Sequence, residues 1–204
     1  MGLHQGHDRC EKDVIEYLQS LGFLLGEATY HEVMDKVVKD RLASIYSPTS
    51  LYIRGRADRI AVHQTKPIVF EWEAKTHNPG PYHDMLIELL PVLHHLKRAE
   101  LGVRCLYIYN DYERGYDVGF WTDAMPTVRQ VYLTPRFTPE LKGVVDDAIA
   151  EYFPRTTVRQ TAGTKGSNDP FLIVDESTVR SLRNWKTLVD EELNGQPATT
   201  DSLF

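Results

Sequence analysis

A chain of 204 residues is long enough to bury one substantial core and needs no disulfide framework to hold it. With 42% hydrophobic and 25% charged residues, it has the composition of an ordinary soluble globular protein. Its net charge of -6, from 29 acidic against 23 basic residues, excludes nucleic-acid binding by bulk electrostatics, so any such contact must come from local basic clusters.

Cys10 and Cys105 are isolated, with no Cys-x-x-Cys spacing, which argues against a cysteine zinc site and for a reducing intracellular setting. No apolar run approaches the roughly 20 residues of a membrane helix. Met1 to His7 lacks the basic and apolar regions of a secretion signal, and Gly6 stands where myristoylation wants Ser or Thr. A cytoplasmic protein without membrane partners is expected.

In chain order, Asp8-Arg-Cys-Glu11 fits a capping box and predicts a helix to about Leu21, closed by Gly22. Val14, Ile15, Leu18 and Leu21 form its buried stripe, and Glu11 falls on that side whereas Asp13 and Glu16 point away. Glu11 is therefore either a cap alone or a cap that also serves a site. A second capping box, Thr29-Tyr-His-Glu32, predicts a helix to about Tyr46 with Met34, Val37, Val38 and Ile45 inward.

Two runs then alternate. Arg54-Gly-Arg-Ala-Asp-Arg-Ile60 places Arg54, Arg56 and Asp58 on one strand face. Ile68 to Thr76 places Glu71, Glu73 and Lys75 on one face and Phe70, Trp72 and Ala74 on the other. His63-Gln-Thr-Lys-Pro67 between them suits a hairpin turn, so Asp58 and Glu73-Ala-Lys75 are expected on adjacent strands.

Beyond the hairpin, Leu86, Leu89, Leu90, Leu93 and Leu96 predict a helix from Tyr82 to Leu101, kinked or shortened by Pro91. Val103 to Tyr109 and Tyr116 to Trp121 read as strands. Thr138-Pro139 opens a predicted helix to about Phe153. Arg155 to Asn168 carries no acid and reads as a flexible linker or a mobile basic loop that touches phosphate. A last helix, from about Glu176 to Leu193, buries Val179, Leu182, Trp185 and Leu188. This suggests a core domain over 1–153 and an appended basic loop and helix over 154–204.

The chemistry lies in the hairpin. Carboxylates at Asp58 and Glu73 offer hard oxygen ligands for Mg²⁺, the Ala74 carbonyl offers a third, and Lys75 puts an ammonium beside them. Phosphodiester hydrolysis asks for these parts, since the metal offsets charge on the phosphate and acidifies water while the lysine adds positive charge. Arg54 and Arg56 either hold the phosphate backbone or neutralise Glu71. Glu140-Leu-Lys142 repeats the letters at a helix start, where residues two apart do not share a face, and is set aside. His83 and the pair His94-His95 lack metal-ligand spacing to a partner and are left out of the site.

Asp58, fourteen intervening residues, then Glu73-Ala-Lys75 resembles the PD-(D/E)xK nuclease superfamily, which includes restriction enzymes, phage exonucleases and Holliday junction resolvases. The resemblance covers about residues 8 to 122, with Ala57 standing where the family name has Pro. It implies an α/β restriction-endonuclease-like fold, a mixed sheet flanked by helices, in the order helix, three strands, helix, strand. Phe23-Leu-Leu25 or Leu51-Tyr-Ile53 would supply the first strand, and the helix at 28–46 would be an insertion.

It further implies a Mg²⁺-dependent DNA endonuclease, with Mn²⁺ as a substitute, of the junction-resolving or repair type. Asp58, Glu73, Ala74 and Glu11 would be its metal ligands, Lys75 would orient the water, and two copies would act as a homodimer. A sequence-specific restriction-type endonuclease, or a non-catalytic nucleic-acid-binding subunit with the same fold, stays open as an alternative. So does an RNA or small-molecule phosphodiesterase.

Overall fold

A computed structural model describes residues 3–28, 34–43, 53, 56–76, 85–99, 102–122, 157–160 and 170–195. In chain order the elements are α1 (Leu3–Ser20), β1 (Phe23–Glu27), α2 (Lys36–Ala43), β2 (Arg59–His63), β3 (Val69–Thr76), β4 (Met85–Glu88), α3 (Leu89–Ala99), β5 (Cys105–Asp111), β6 (Tyr116–Trp121), β7 (Thr157–Gln160), β8 (Pro170–Val174), α4 (Glu176–Ser181), β9 (Arg183–Asn184) and α5 (Trp185–Gly195). Six strands form a mixed sheet in the order β1-β2-β3-β5-β6-β9, and β4-β8-β7 form a second sheet. In the larger sheet only β3 and β5 run parallel, as a crossover through α3 requires. The chain is thus an α/β protein with a mixed sheet flanked by helices, and α1, β1, β2, β3, α3 and β5 follow the order that the resemblance implied.

The core lies on one face of that sheet. Phe70, Trp72 and Ala74 of β3 pack there with Leu106 and Ile108 of β5, under Cys10, Val14 and Leu18 of α1. Trp185, Leu188, Val189 and Leu193 of α5 complete the cluster, so the C-terminal helix shares its core with the first one. Gly119 permits this closure: a Cβ there would meet the Tyr107 carbonyl at 2.6 Å and the Trp185 Cβ at 2.8 Å.

Several expectations change. α1 starts at Leu3, so Asp8 and Glu11 lie inside the helix and make no capping box. An acid pair three residues apart fits a helix interior as well as its end, and Gly6 costs the extension only about 1 kcal/mol. Gly22 closes the helix as expected, at φ 88°. β1 at Phe23–Glu27 is the first strand of the order. The second helix covers only Lys36–Ala43 among the described residues, and Val37 and Val38 are exposed rather than inward, at 79% and 47%.

Met85–Glu88 is a strand, because Met85 and Ile87 are buried while Leu86 is not, a period of two inside a leucine-rich run. Pro91 then falls in the first turn of α3, where the backbone N–H has no helical partner to lose. Part of the supposed linker pairs as β7 with β8. The last helix breaks at Leu182, whose extended backbone feeds β9, and Asn184 accepts from the Lys186 N–H at 2.9 Å to start α5. The helix expected at Thr138 to Phe153 and the repeat at Glu140 lie outside the described residues.

Candidate active site

The opposite face of β3 is buried as well, but with charges. Glu71 and Glu73 are 2% and 5% exposed, and α3 brings Arg98 onto Glu71 and His95 near Glu73. The parallel register sets Glu71 opposite Cys105, Glu73 opposite Tyr107 and Lys75 opposite Tyr109, so these side chains share one face. Glu71 forms a two-point ion pair with Arg98, whose Nε donates at 3.2 Å, and Arg56 adds a looser contact at 3.7 Å. Its place is a closed structural pair.

Glu73 is arranged differently. Oε1 accepts from Lys75 Nζ at 2.6 Å, and Oε2 accepts from the Asp58 backbone N–H at 3.0 Å. Asp58 is not on a strand face with Arg56, as the sequence pattern had it: β2 begins only at Arg59. At Asp58 the chain leaves the ladder, its N–H turned to the Glu73 carboxylate while its carbonyl accepts from Ala28 N–H at 3.0 Å. That side-chain bond ends the strand and brings Asp58 to Glu73. Glu71 N–H donates to the Arg104 carbonyl across β5, so by alternation the Ala74 carbonyl faces away from β5, toward residues 56–58.

Glu11 reaches this region from α1. Its Oε1 accepts from Arg59 Nε at 3.0 Å, and Arg59 also pairs with Glu27. Glu11 thus supports the bend and its charge acts on Asp58, but it caps nothing. Arg59, adjacent to Asp58 in sequence, received no role from the sequence pattern. Arg54 lies outside the described residues, as do Tyr82 and His83. From α3, His95 comes near Glu73, and its Nδ1 shares a 2.6 Å hydrogen bond with the Tyr107 hydroxyl. Its position on a strongly amphipathic helix after the Glu-x-Lys strand was the available signal.

The electrostatics distinguish the site. Burial first, then the charges of Glu73, Glu11 and Glu88, push Asp58 up to about 7, against the pull of Lys75. Burial alone would raise Glu73 too, but Lys75, His95 and the Asp58 N–H hold it below its ordinary value. Burial would lower Lys75, and the surrounding carboxylates of Glu73, Glu88 and Asp58 raise it instead, so it stays an ammonium.

No family model and no curated protein matches the chain. A solved structure of Archaeoglobus fulgidus Hjc, a Holliday junction resolvase from an archaeal hyperthermophile, is similar to it. The TM-score is 0.43 at 11% identity, over 94% of this chain and 97% of that one. Among the described residues no helix is long and apolar enough to cross a membrane.

The donors at this site are all oxygen, which suits Mg²⁺ or Mn²⁺ rather than a softer metal. Among the described residues no three His, Cys, Asp or Glu side chains are gathered as a metal cage. Mg²⁺ does not need one, since it is commonly held by one or two carboxylates, with water and substrate phosphates completing its shell. Burial first, and then the neighbouring carboxylates, raise Asp58, and a divalent cation would relieve the second of these.

Proposed function

We propose that this chain is a metal-dependent DNA endonuclease whose site is Asp58, Glu73, Ala74 and Lys75 at the end of β3, assisted by Glu11. The observation that carries the reading is the Glu73 carboxylate, which accepts from the Asp58 backbone N–H at 3.0 Å and from Lys75 Nζ at 2.6 Å, with the Asp58 carboxyl near enough to feel the charges of both Glu73 and Lys75. Mg²⁺, with Mn²⁺ as a substitute, would be held by the Asp58 and Glu73 carboxylates and the Ala74 carbonyl, with Glu11 assisting. Bound there, the ion would supply positive charge to a phosphate and make water more acidic.

The chain's own groups do the rest. Asp58 must be ionised to serve, and its proton is held first by burial and then by the negative charge of Glu73, the second of which a bound cation would offset. Lys75 keeps its charge and can turn donors from Glu73 to a phosphate oxygen, where the developing negative charge is greatest. Arg56, two residues ahead of Asp58 and 45% exposed in its side chain, would be free to meet a phosphate backbone. A junction or duplex has two strands to cut, so two copies of the chain, each with one site, fit the reading.

Incubation of the purified chain with branched, duplex and single-stranded DNA, in Mg²⁺ and then EDTA, tests it. Cleavage is expected in Mg²⁺ alone, strongest on branched DNA, and lost in Asp58→Ala and Lys75→Ala. Cleavage that survives in both variants removes the assignment. A preference for unbranched duplex with a fixed recognition sequence replaces the junction-type reading with the restriction-type one.

A further inference from the structure

Arg59, the first residue of β2, is a cation shared by two carboxylates from different elements. Its Nε donates to Glu11 Oε1 of α1 at 3.0 Å, and a second nitrogen pairs with Glu27 at the end of β1. The register sets Arg59 opposite Glu27 on one side and opposite Trp72 on the other, so its side chain lies on the core face of the sheet, under α1. A planar guanidinium fork suits such a double contact.

Asp58 precedes this residue and depends on the same side of the sheet. Its carbonyl accepts from Ala28 N–H at 3.0 Å, which carries the contact with β1 one residue past the Glu27–Arg59 pair. Toward β3 the ladder stops at the Arg59–Trp72 pair, and the Asp58 N–H goes to the Glu73 side chain instead. The backbone of the bend is therefore fixed to the end of β1, and it meets β3 through the carboxylate that a cation would also use.

Without Arg59, Glu11 and Glu27 would lose the cation they share, and their like charges would push α1 and β1 apart beside Asp58. We infer that Arg59, held by Glu11 and Glu27, is a positioning residue that fixes the Asp58 bend to α1 and β1 so that Asp58 and Glu73 can share one cation. The inference rests on the proposed cation site, and in it Glu11 assists through Arg59.

Charge and position make opposite predictions. A positive side chain near the site repels Mn²⁺, so if Arg59 contributed charge alone, Arg59→Gln would tighten Mn²⁺ binding. Loss of a positioning residue should instead weaken it about 10- to 100-fold in calorimetry on the full chain, the range typical of groups that support metal ligands. Without cation, the Asp58 amide of Arg59→Gln should exchange about 10-fold faster, while the amide of the buried Leu106 keeps its protection. Arg59→Lys keeps the charge but not the planar fork, and should fall between the wild type and Arg59→Gln in both readings.

Should Arg59→Gln fail to fold, Arg59→Lys carries the same test, since charge alone predicts no change there. Mn²⁺ bound by the variants as tightly as by the wild type, or more tightly, overturns the inference. So does an Asp58 amide that stays protected, or a Leu106 amide that exchanges faster to the same degree, which would make Arg59 a prop of the whole fold. A wild-type chain that takes up no Mn²⁺ sinks the cation site instead, and the exchange measurements alone then decide whether Arg59 holds the bend.

Discussion

Glu71 and Glu73 stand two residues apart on one strand and one face, 2% and 5% exposed, yet they belong to different kinds of region. Glu71 meets a guanidinium that reaches down from α3 and matches its two oxygens, so the pair is closed. Glu73 shares its surroundings with Asp58, Glu11 and Glu88, and Lys75 is the cation on its carboxylate. Burial does not separate the two. What separates them is the neighbourhood: Glu71 is matched by Arg98, whereas Glu73, held below its ordinary value by Lys75, stands beside Asp58, whose own carboxyl is pushed up by burial and then by Glu73.

The sharpest way to break this contrast is to remove each acid's function in turn. Glu73→Ala should lower Mg²⁺-dependent cleavage about 10³-fold or more, because charge stabilisation by a held metal is worth several kcal/mol. Single-turnover cleavage of branched DNA reads this, and a loss under tenfold would contradict the placement. Arg98→Ala should act on the fold instead, destabilising it by about 3 kcal/mol in urea unfolding, since it strands Glu71 as a buried unpaired charge. Replacing Glu71 and Arg98 together by Met should restore most of that stability and leave Mn²⁺ uptake intact. If uptake falls with the double replacement, Glu71 belongs to the site after all.

Asp58 sharpens the comparison through pH. Its folded value of about 7 stands above the usual carboxylate range, so the folded chain holds this proton more tightly than the unfolded one. The stability this gives is fully present below about pH 4 and is lost as pH rises through about 7. Asp58→Asn removes the titration, so without cation the variant should outlast the wild type at pH 8 but not at pH 4. The expected gap is on the order of 2 kcal/mol, or roughly 4–8 °C in melting temperature. Mg²⁺ at pH 8 should raise the wild type and leave the variant where it is. Melting curves of the two proteins that stay parallel from pH 4 to 8 would remove Asp58 from the coupled cluster.

The same contrast shows what could be read in advance. The alternation of Phe70, Trp72 and Ala74 against Glu71, Glu73 and Lys75 is a property of any strand, and the fold keeps it. Tyr116–Trp121 and the hairpin turn at residues 64–67 also follow from local pattern. The bend at Asp58 was not legible, because it depends on a side-chain acceptor fifteen residues away. Nor was Met85–Glu88, where leucines at helical spacing masked a strand whose partner, β8, lies far along the chain. Arg98 and His95 come from a helix that pattern did predict, but their pairing with Glu71 and Tyr107 is set by how α3 lies on the sheet.

Arg56 stands between the two regions and gives the smallest and most discriminating effect. Its side chain lies 3.7 Å from Glu71 and is 45% exposed, so as an ion pair it contributes at most about 1 kcal/mol, and Glu71 already has Arg98. Arg56→Ala should therefore leave urea unfolding almost unchanged. If the guanidinium instead serves the site, DNA affinity should fall several-fold, equally for all sequences, and the slope of log affinity against log salt should shrink by about one ion. An unchanged slope would assign Arg56 to the closed pair at Glu71, and the basic contacts of the nuclease reading would then have to come from elsewhere in the chain.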